Sequence, residues 1–241
     1  MVGRQPGGLK PMPERFAIYY APDCESAFWQ RAAAWLGRDA ATGVVLPQPV
    51  LPGFDGQRFE AFTADPRHYG FHATLKAPFA LAETATQADL IAAVAMLAST
   101  HPAFNAIIEP QAMGSFIAFR LAAPSTSMQA LHESSVRLID PFRAPLTPAD
   151  MARRLRAPLT DRQHEQLAAW GYPYVFNDFR FHMTLTGRIE NSGDRQQLLD
   201  AAIQYFADDC GQHQVTSISL FHQPDTKSPF TILARFTLPQ P

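Results

Sequence analysis

A five-residue phrase occurs twice in this chain, and it limits what the chain can fold into. Residues 71–75 read FHATL, and residues 181–185 read FHMTL. Successive side chains of an extended strand point to opposite faces, so each copy places a histidine and a threonine on one face and three apolar residues on the other. The repeat predicts two strands, each with an apolar face for a core and a polar face that can carry chemistry.

The polar faces carry His72, Thr74, His182 and Thr184. The ordinary pKa of histidine lies near neutrality, so a pair can divide into one base and one acid. Threonine hydroxyls can donate hydrogen bonds to phosphate oxygens. A single His-x-Thr phrase carries little weight, whereas two copies in matching contexts are hard to attribute to chance. If the copies face each other across a cleft, they predict phosphoester hydrolysis with one histidine as general base and the other as general acid.

Two readings from other classes remain open. The same cleft could belong to a non-catalytic module that binds a phosphorylated sugar or nucleotide. A metal-dependent hydrolase would need three protein ligands that converge on one point. We expect neither a metal nor another cofactor, and the chain has no Gly-rich phosphate loop, G-x-S-x-G elbow or H-E-x-x-H motif.

Composition narrows the class of partner. Of 241 residues, 46% are hydrophobic, which is enough for a sizeable core, and 20 basic residues stand against 22 acidic ones. This balance argues against binding to long nucleic acid and leaves a small phosphorylated substrate as the expected partner. No apolar run is long enough for a membrane span, and the two cysteines show no metal-binding spacing, so we expect a cytoplasmic protein without a membrane partner. The sequence makes no prediction of oligomeric state.

Boundary signals divide the chain into a flexible tail, residues 1–14, and one domain, residues 15–241. Each phrase is followed by a helix and two strands, which predicts an α+β fold of two lobes related by a duplication with a pseudo-twofold axis. Each lobe is expected to be a mainly antiparallel sheet backed by helices, with the active cleft between lobes. Lobe 1 spans about 15–140 and lobe 2 about 180–241. A short strand is expected near residues 58–63, ahead of the first phrase.

Between the lobes lies a helical insert, about residues 141–179. Thr147 and Thr160 are placed as N-caps of two short helices, and Gly171 as the end of the second. The insert concentrates basic residues, namely Arg143, Arg153, Arg154, Arg156 and Arg162. It is either a lid over an anionic ligand or a solvated connector.

Four further residues are candidates for substrate binding. By strict alternation, Lys76 shares a face with His72, and Arg180 shares one with His182, so each lobe adds a cation. Tyr19 points away from the apolar side of the first strand, and Arg120 lies in a strand of ambiguous pattern. Tyr19 could equally be a partly exposed aromatic at a sheet edge, and Arg120 is at most an anion contact.

The paired His-x-Thr phrases resemble those of the two-histidine (2H) phosphoesterase superfamily. The stretches RFAIYYAP, AAWLGRDAATG, DPRHYGFHATLKAPF and GYPYVFNDFRFHMTLTGRI are similar to a bacterial branch that occurs with phosphonate-utilisation genes and is named for phosphonate metabolism. The resemblance runs from about Arg15 to Leu238. It implies a bilobal fold, assigns the two histidines and two threonines to the paired motifs, and implies hydrolysis of a cyclic phosphodiester, such as a 2',3'-cyclic nucleotide or a cyclic sugar phosphate, without metal.

Overall fold

The computed structural model describes residues 14–240, and eight strands within them form one antiparallel sheet. Of the predicted tail, residues 1–13 lie outside the described residues, and Glu14 lies within them. The sheet has the order β6-β3-β4-β5-β2-β1-β7-β8. Its strands are β1 (Arg15–Tyr20), β2 (Ala73–Phe79), β3 (Phe104–Met113), β4 (Phe116–Leu121), β5 (His182–Thr184), β6 (Gly211–Val215), β7 (Ser217–Gln223) and β8 (Thr231–Thr237).

Seven α-helices accompany the sheet within the described residues, so the predicted α+β class is confirmed. They are α1 (Ala27–Leu36), α2 (Gly56–Tyr69), α3 (Gln87–Ser99), α4 (Thr126–Ile139), α5 (Pro148–Arg154), α6 (Asp161–Trp170) and α7 (Ser192–Tyr205). No helix in this part of the chain is long and apolar enough to cross a membrane.

Helix ends follow the capping residues in the sequence. The side chains of Thr147 and Thr160 accept hydrogen bonds from backbone N–H groups at the starts of α5 and α6, which satisfies donors that have no partner within the helix. Gly171 ends α6 with a left-handed backbone, at φ 71°. The two insert helices are therefore confirmed where the sequence predicts them.

One predicted element is wrong: residues 58–63 are helical and belong to α2. The side chain of Asp55 caps this helix by accepting a hydrogen bond from the Arg58 N–H. Phe59, Thr63 and Pro66 are buried, and their spacing of four and three residues places them on one helical face. The cap and this spacing favour a helix over the expected strand.

Strand pairing mixes the two ends of the chain. β1 pairs with both β2 and β7, and β7 also pairs with β8, so one half of the sheet joins the beginning of the chain to its end. In the other half, β3 pairs with β4. β3 also pairs with β6, and β4 also pairs with β5. Four strands lie on each side of the junction between β2 and β5. The halves of the sheet are thus not the consecutive stretches 15–140 and 180–241 that the chain order suggested.

Apolar packing holds the second phrase against the helices. Trp35 of α1 is fully buried, its ring contacts Phe59 and Phe206, and its indole N–H donates to the Leu185 carbonyl at 3.1 Å. Burying an aromatic side chain of this size stabilises the fold by about 2–3 kcal/mol. The core therefore fixes the backbone immediately after β5, the strand that contains the second histidine.

Candidate active site

The two phrases lie side by side at the centre of the sheet. β2 pairs with β5 at Ala73 and Met183. In this antiparallel register, His72 lies opposite Thr184 and Thr74 lies opposite His182, which gives the four residues an approximate twofold relation. His72 and His182 are diagonal neighbours in this register, and such neighbours are about 7–8 Å apart. Both histidines therefore lie on one face of the sheet, with room between them for a phosphate-sized group.

Burial alternates identically along the two copies. The phenylalanine, the central apolar residue and the leucine of each phrase are buried, while the histidine and the threonine are partly exposed. The prediction of an apolar and a polar face in each copy is therefore confirmed. The catalytic and binding roles of these residues stay predictions.

His72 is held by the backbone immediately before it. Its Nδ1 lies 2.9 Å from the Gly70 carbonyl oxygen, so Nδ1 carries the proton and donates. Nε2 then carries the free lone pair, and Thr74 Oγ1 lies 3.4 Å from Nε2. The ring of Tyr19 stacks on the imidazole at a centroid distance of 3.8 Å. These contacts fix both the tautomer and the plane of the imidazole.

His182 repeats the same arrangement. Its Nδ1 lies 2.7 Å from the Arg180 carbonyl oxygen, again two residues earlier in the chain. Its Nε2 is thereby left for the cleft. Because a carbonyl acceptor of the same relative position orients both rings, the similarity of the two copies extends beyond their four shared residues.

Both histidines are neutral in the free protein at neutral pH. Burial, with a smaller contribution from the nearby His182, lowers the pKa of His72 to about 4, against the opposing effect of the Gly70 hydrogen bond. Burial also lowers the pKa of His182 below its ordinary 6.5, and the positive charge of Arg120 adds to this effect. His72 is therefore the stronger candidate for a base that accepts a proton.

Two adjoining cavities open over the histidines. The aromatic cavity, of about 340 Å³, is lined by His182 and by aromatic residues that include Tyr172, Tyr174 and Phe179. The arginine cavity, of about 500 Å³, is lined by His72, Tyr19 and Thr184, and by Arg15, Arg153 and Arg154. Thr74, Ala77 and Tyr172 line both. The histidines thus reach two parts of one cleft, which meet at Thr74.

Tyr19 and Arg120 extend the row of site residues across the sheet. Tyr19 lies opposite Thr74, and Arg120 lies opposite His182. Directly opposite residues share a face, so the two predicted residues flank the paired phrases. Tyr19 is almost completely buried, and its closest aromatic partner is His72. Its position indicates that it orients the imidazole.

The two arginines near His182 differ in their surroundings. Arg120 Nη1 lies 3.3 Å from Gln111 Oε1, to which it donates. Arg180 is exposed, lines the aromatic cavity beside His182, and has no carboxylate partner among residues 14–240. Arg180 is thus placed where the sequence predicted a cation, and its contact with substrate stays a prediction.

The prediction for Lys76 differs from the structure. Its ammonium is buried and donates to Asp140 Oδ1 at 2.9 Å and to the Val136 carbonyl at 3.2 Å. Between β1 and β2 the register shifts, since Tyr19 pairs with Thr74 but Ile18 pairs with Lys76. Such an irregularity ends strict alternation of faces. Lys76 therefore joins β2 to α4 and lines neither cavity of the cleft.

Replacing Asp140 with alanine is expected to destabilise the fold by about 2–3 kcal/mol, because it leaves the Lys76 ammonium buried without a carboxylate. The loss is smaller than for a fully buried pair, since 20% of the Asp140 side chain is exposed. Urea unfolding measures it. Glu190→Ala removes an exposed ion pair with Arg188 and serves as the control, with a change of less than about 0.5 kcal/mol. Equal stability of Asp140→Ala and the parent protein would contradict a structural role for the pair.

The five arginines of the insert do not act alike. Arg153 and Arg154 line the arginine cavity. Arg143 pairs with Asp140, and Arg162 pairs with Asp178. Arg156 is exposed and lines no cavity of the cleft. The insert therefore forms part of the cleft wall through two of its arginines and through Tyr172.

His132 shows why proximity to the cleft is not sufficient for a catalytic role. It lines the aromatic cavity, but its Nε2 accepts the Phe176 N–H at 3.0 Å. Its Nδ1 must then be the donor to the Leu75 carbonyl at 2.9 Å. Burial lowers its pKa to about 4. Both ring nitrogens are occupied, so His132 is a buried structural residue.

Sequence reasoning missed Gly70 and the contribution of Arg15. Gly70 supplies the carbonyl that orients His72, and its backbone is at φ 80° and ψ 177°. This region of backbone space is essentially restricted to glycine. The only signal in the sequence is a glycine two residues before the histidine, which the second phrase does not share because Arg180 occupies that position. For Arg15, nothing in the sequence placed the first strand beside α5.

The described residues contain no group of three or more histidine, cysteine, aspartate or glutamate side chains arranged to hold a metal ion. The expectation that the reaction needs no metal stays a prediction.

Comparisons with known proteins give two kinds of relative. Two curated proteins named ribose 1,5-bisphosphate phosphokinase PhnN match this chain. The one from Laribacter hongkongensis is 35% identical over 220 residues, which cover 90% of this chain and 50% of that protein. The one from a Janthinobacterium species is 38% identical over 173 residues, covering 71% of this chain and 38% of that protein. The chain thus spans about half the length, or less, of these curated relatives.

Among solved structures, E. coli LigT in complex with NADP+ is similar to this chain. The TM-score is 0.45 and the identity 15%, with 95% of this chain and 99% of LigT covered. The model of the family described as "Protein of unknown function (DUF1045)" matches residues 74–231, a range that begins within the first phrase and contains the second. The chain therefore belongs to the DUF1045 family.

Proposed function

We propose that this protein is a metal-independent phosphoesterase that hydrolyses a small cyclic phosphodiester. The observation that carries the proposal is the twofold placement of two backbone-oriented histidines, each beside a threonine, on one face of the sheet. In-line displacement at phosphorus needs a base on the side of the attacking water and an acid on the side of the leaving oxygen. Two imidazoles about 7–8 Å apart on a diagonal of the sheet can supply the base and the acid at once.

In the proposed reaction, His72 Nε2 takes a proton from water as the water oxygen bonds to phosphorus. The bond between phosphorus and one ring oxygen breaks, and His182 Nε2 donates a proton to that departing oxygen. The product is a ring-opened phosphate monoester. One proton is taken from water and one is given to the product, so a second transfer between the histidines or through solvent restores the enzyme.

The lower pKa supports His72 as the base. A base must be neutral and an acid must be protonated when substrate binds. His72 keeps its lone pair down to about pH 4 because it is buried. The pKa of His182 is also lowered, but His182 opens onto the aromatic cavity, beside the exposed side chain of Arg180. A bound phosphodiester anion favours the protonated form of a neighbouring imidazole, which suits His182 as the acid.

The hydroxyls of Thr74 and Thr184 are proposed to donate hydrogen bonds to the two non-bridging phosphate oxygens. Each lies directly opposite a histidine across the junction of β2 and β5. Arg180 is proposed to add a positive charge on the His182 side. Each bond that strengthens as charge shifts onto these oxygens lowers the barrier.

A phosphorylated sugar is the proposed substrate class. The curated relatives carry a name that refers to a ribose bisphosphate, although they are about twice as long as this chain. The kinase named there is not proposed for this chain, because its 241 residues contain no Gly-rich phosphate-binding loop. The two cavities lie in the size range of small-molecule sites. Together these observations favour a cyclic sugar phosphate or a cyclic nucleotide.

The reaction is expected to run fastest at acid pH. kcat/KM reports the free enzyme, in which His72 must be neutral and His182 protonated. As pH falls below about 4, His72 becomes protonated and the base is lost. As pH rises past the pKa of His182, which lies below 6.5, the acid is lost. The profile of kcat/KM against pH should be bell-shaped with its maximum below pH 6.5, and a maximum above pH 7.5 would contradict this assignment of roles.

A screen of cyclic phosphates tests the proposal. Nucleoside 2',3'-cyclic phosphates and ribose 1,2-cyclic phosphate are incubated with the protein, and phosphorus NMR identifies which bond breaks. We expect turnover of at least one compound, unchanged within about twofold by EDTA. Binding of cyclic and ring-opened compounds without turnover would favour a binding module instead. A loss of most activity on EDTA treatment, restored by a divalent metal, would contradict the metal-independent mechanism.

A further inference from the structure

Three arginines from two distant parts of the chain line the cavity that contains His72. Arg15 begins β1, whereas Arg153 and Arg154 lie in the last turn of α5 in the insert. The same cavity is lined by Thr74 and Thr184. The proposed reaction uses none of the three arginines, although they lie in one cavity with His72 and both threonines.

Arg154 lacks the partners that an arginine in such a place normally has. Within residues 14–240 it pairs with no carboxylate, and its Nε is buried without a hydrogen-bond acceptor. Its guanidinium lies over the ring of Tyr172, 5.2 Å from the centroid. A buried donor without an acceptor is costly, and a cation–π contact does not satisfy it. The buried Nε is not itself accessible, but Arg154 lines the arginine cavity, where the rest of its guanidinium can meet an anion.

The charges in this cavity do not balance. Arg15 donates from Nε to the neutral Gln223 side chain at 2.7 Å. Of the three arginines, only Arg153 has a carboxylate partner within residues 14–240, namely Asp150 at 2.7 Å. Burial lowers the pKa of Arg154, and the like charges of Arg153 and Arg15 lower it further. Three cations against one carboxylate repel each other. A bound anion would relieve this repulsion.

We propose that Arg154, with Arg15 and Arg153, forms a subsite for a second phosphoryl group of the substrate, one that is not hydrolysed. This rests on the proposed function, because it takes the scissile phosphate to lie between the two histidines. Arginine's planar set of donors suits the oxygens of a dianionic phosphate monoester. The substrate is then a cyclic phosphodiester that also carries a terminal phosphate on the same sugar, and the cavity of about 500 Å³ accommodates the end that bears it.

The experiment compares a nucleoside 2',3'-cyclic phosphate with the same compound carrying a 5'-phosphate. In the parent protein we expect kcat/KM to favour the 5'-phosphorylated compound by about 10-fold or more, as one or two charge-assisted contacts allow. Arg154→Ala, and independently Arg15→Ala, should reduce that preference by about 10-fold or more. Arg156→Ala removes an equal charge from the same insert at an exposed position outside the cleft, and it should leave the preference unchanged.

Binding is measured in parallel by calorimetry on a His72→Ala/His182→Ala double variant, which cannot turn the ligand over. A binding preference for the 5'-phosphate that Arg154→Ala abolishes supports the subsite even if the parent protein hydrolyses neither compound, and in that case the proposed function alone fails. Turnover of both compounds with equal kcat/KM, or a preference that Arg154→Ala and Arg15→Ala leave intact, overturns the subsite while the proposed function stands. Thermal unfolding of each variant verifies that it is folded.

Discussion

Replacing either His72 or His182 with alanine is expected to lower kcat/KM for a cyclic phosphodiester by about 10²- to 10⁴-fold, the usual contribution of a general acid or base. In the proposed mechanism the two imidazoles act on opposite sides of the same phosphorus, so neither can replace the other. The double variant should be little worse than the worse single variant, because residues that act as a unit are not additive. Steady-state kinetics on the compound identified in the screen measures these ratios.

The pH profiles of the single variants separate the two roles. His72→Ala should lose the acid limb of the profile and His182→Ala the alkaline limb, since each variant removes the group that titrates there. His164→Ala is the matched control: this histidine is exposed on α6 and lines no cavity of the cleft. It should retain activity within about twofold. Full turnover by either site variant would remove that histidine from the mechanism.

Gly70→Ala is expected to destabilise the fold by about 3–5 kcal/mol, the sum of backbone strain and steric overlap. The backbone at Gly70 lies in a region that side chains avoid, and an added Cβ would come within 2.4 Å of the Ala40 Cβ. Ala40 is itself buried, so it cannot move aside cheaply. Urea unfolding gives the loss of stability.

The same substitution should also lower kcat/KM. Relief of the overlap moves the Gly70 carbonyl, and this carbonyl holds the Nδ1 proton of His72. Gly43→Ala provides the control, because Gly43 has nearly the same φ, 78°, but no atom within 4 Å of the added Cβ. It should show the cost of a side chain at positive φ without the overlap, and no effect on activity. If both variants lose equal stability and activity is unchanged, Gly70 does not position the histidine.

Several local features could be read from the sequence because their causes are local. The alternation of faces in each phrase, the caps at Thr147 and Thr160 and the glycine end at Gly171 depend on residues within a few positions of one another. The prediction of a strand at residues 58–63 is wrong. There, the cap at Asp55 and the buried face of α2 determine the structure.

Features that depend on distant pairing could not be read in this way. Strict alternation placed Lys76 in the cleft, but the register shift between β1 and β2 turns it toward Asp140. Chain order suggested consecutive lobes, but β1 pairs with β7 across some 200 residues of sequence. Arg15 reaches the cleft beside Arg154 for the same reason.

The sequence by itself determined that each histidine shares a strand face with a threonine, because alternation along a strand is a property of the backbone. Only the tertiary structure decided that the two faces meet in the register of Ala73 and Met183. It also decided that Gly70 and Arg180 orient the rings and that burial keeps the imidazoles neutral. Register, desolvation and electrostatic surroundings depend on which distant segments pack together, and no short stretch of sequence contains that information.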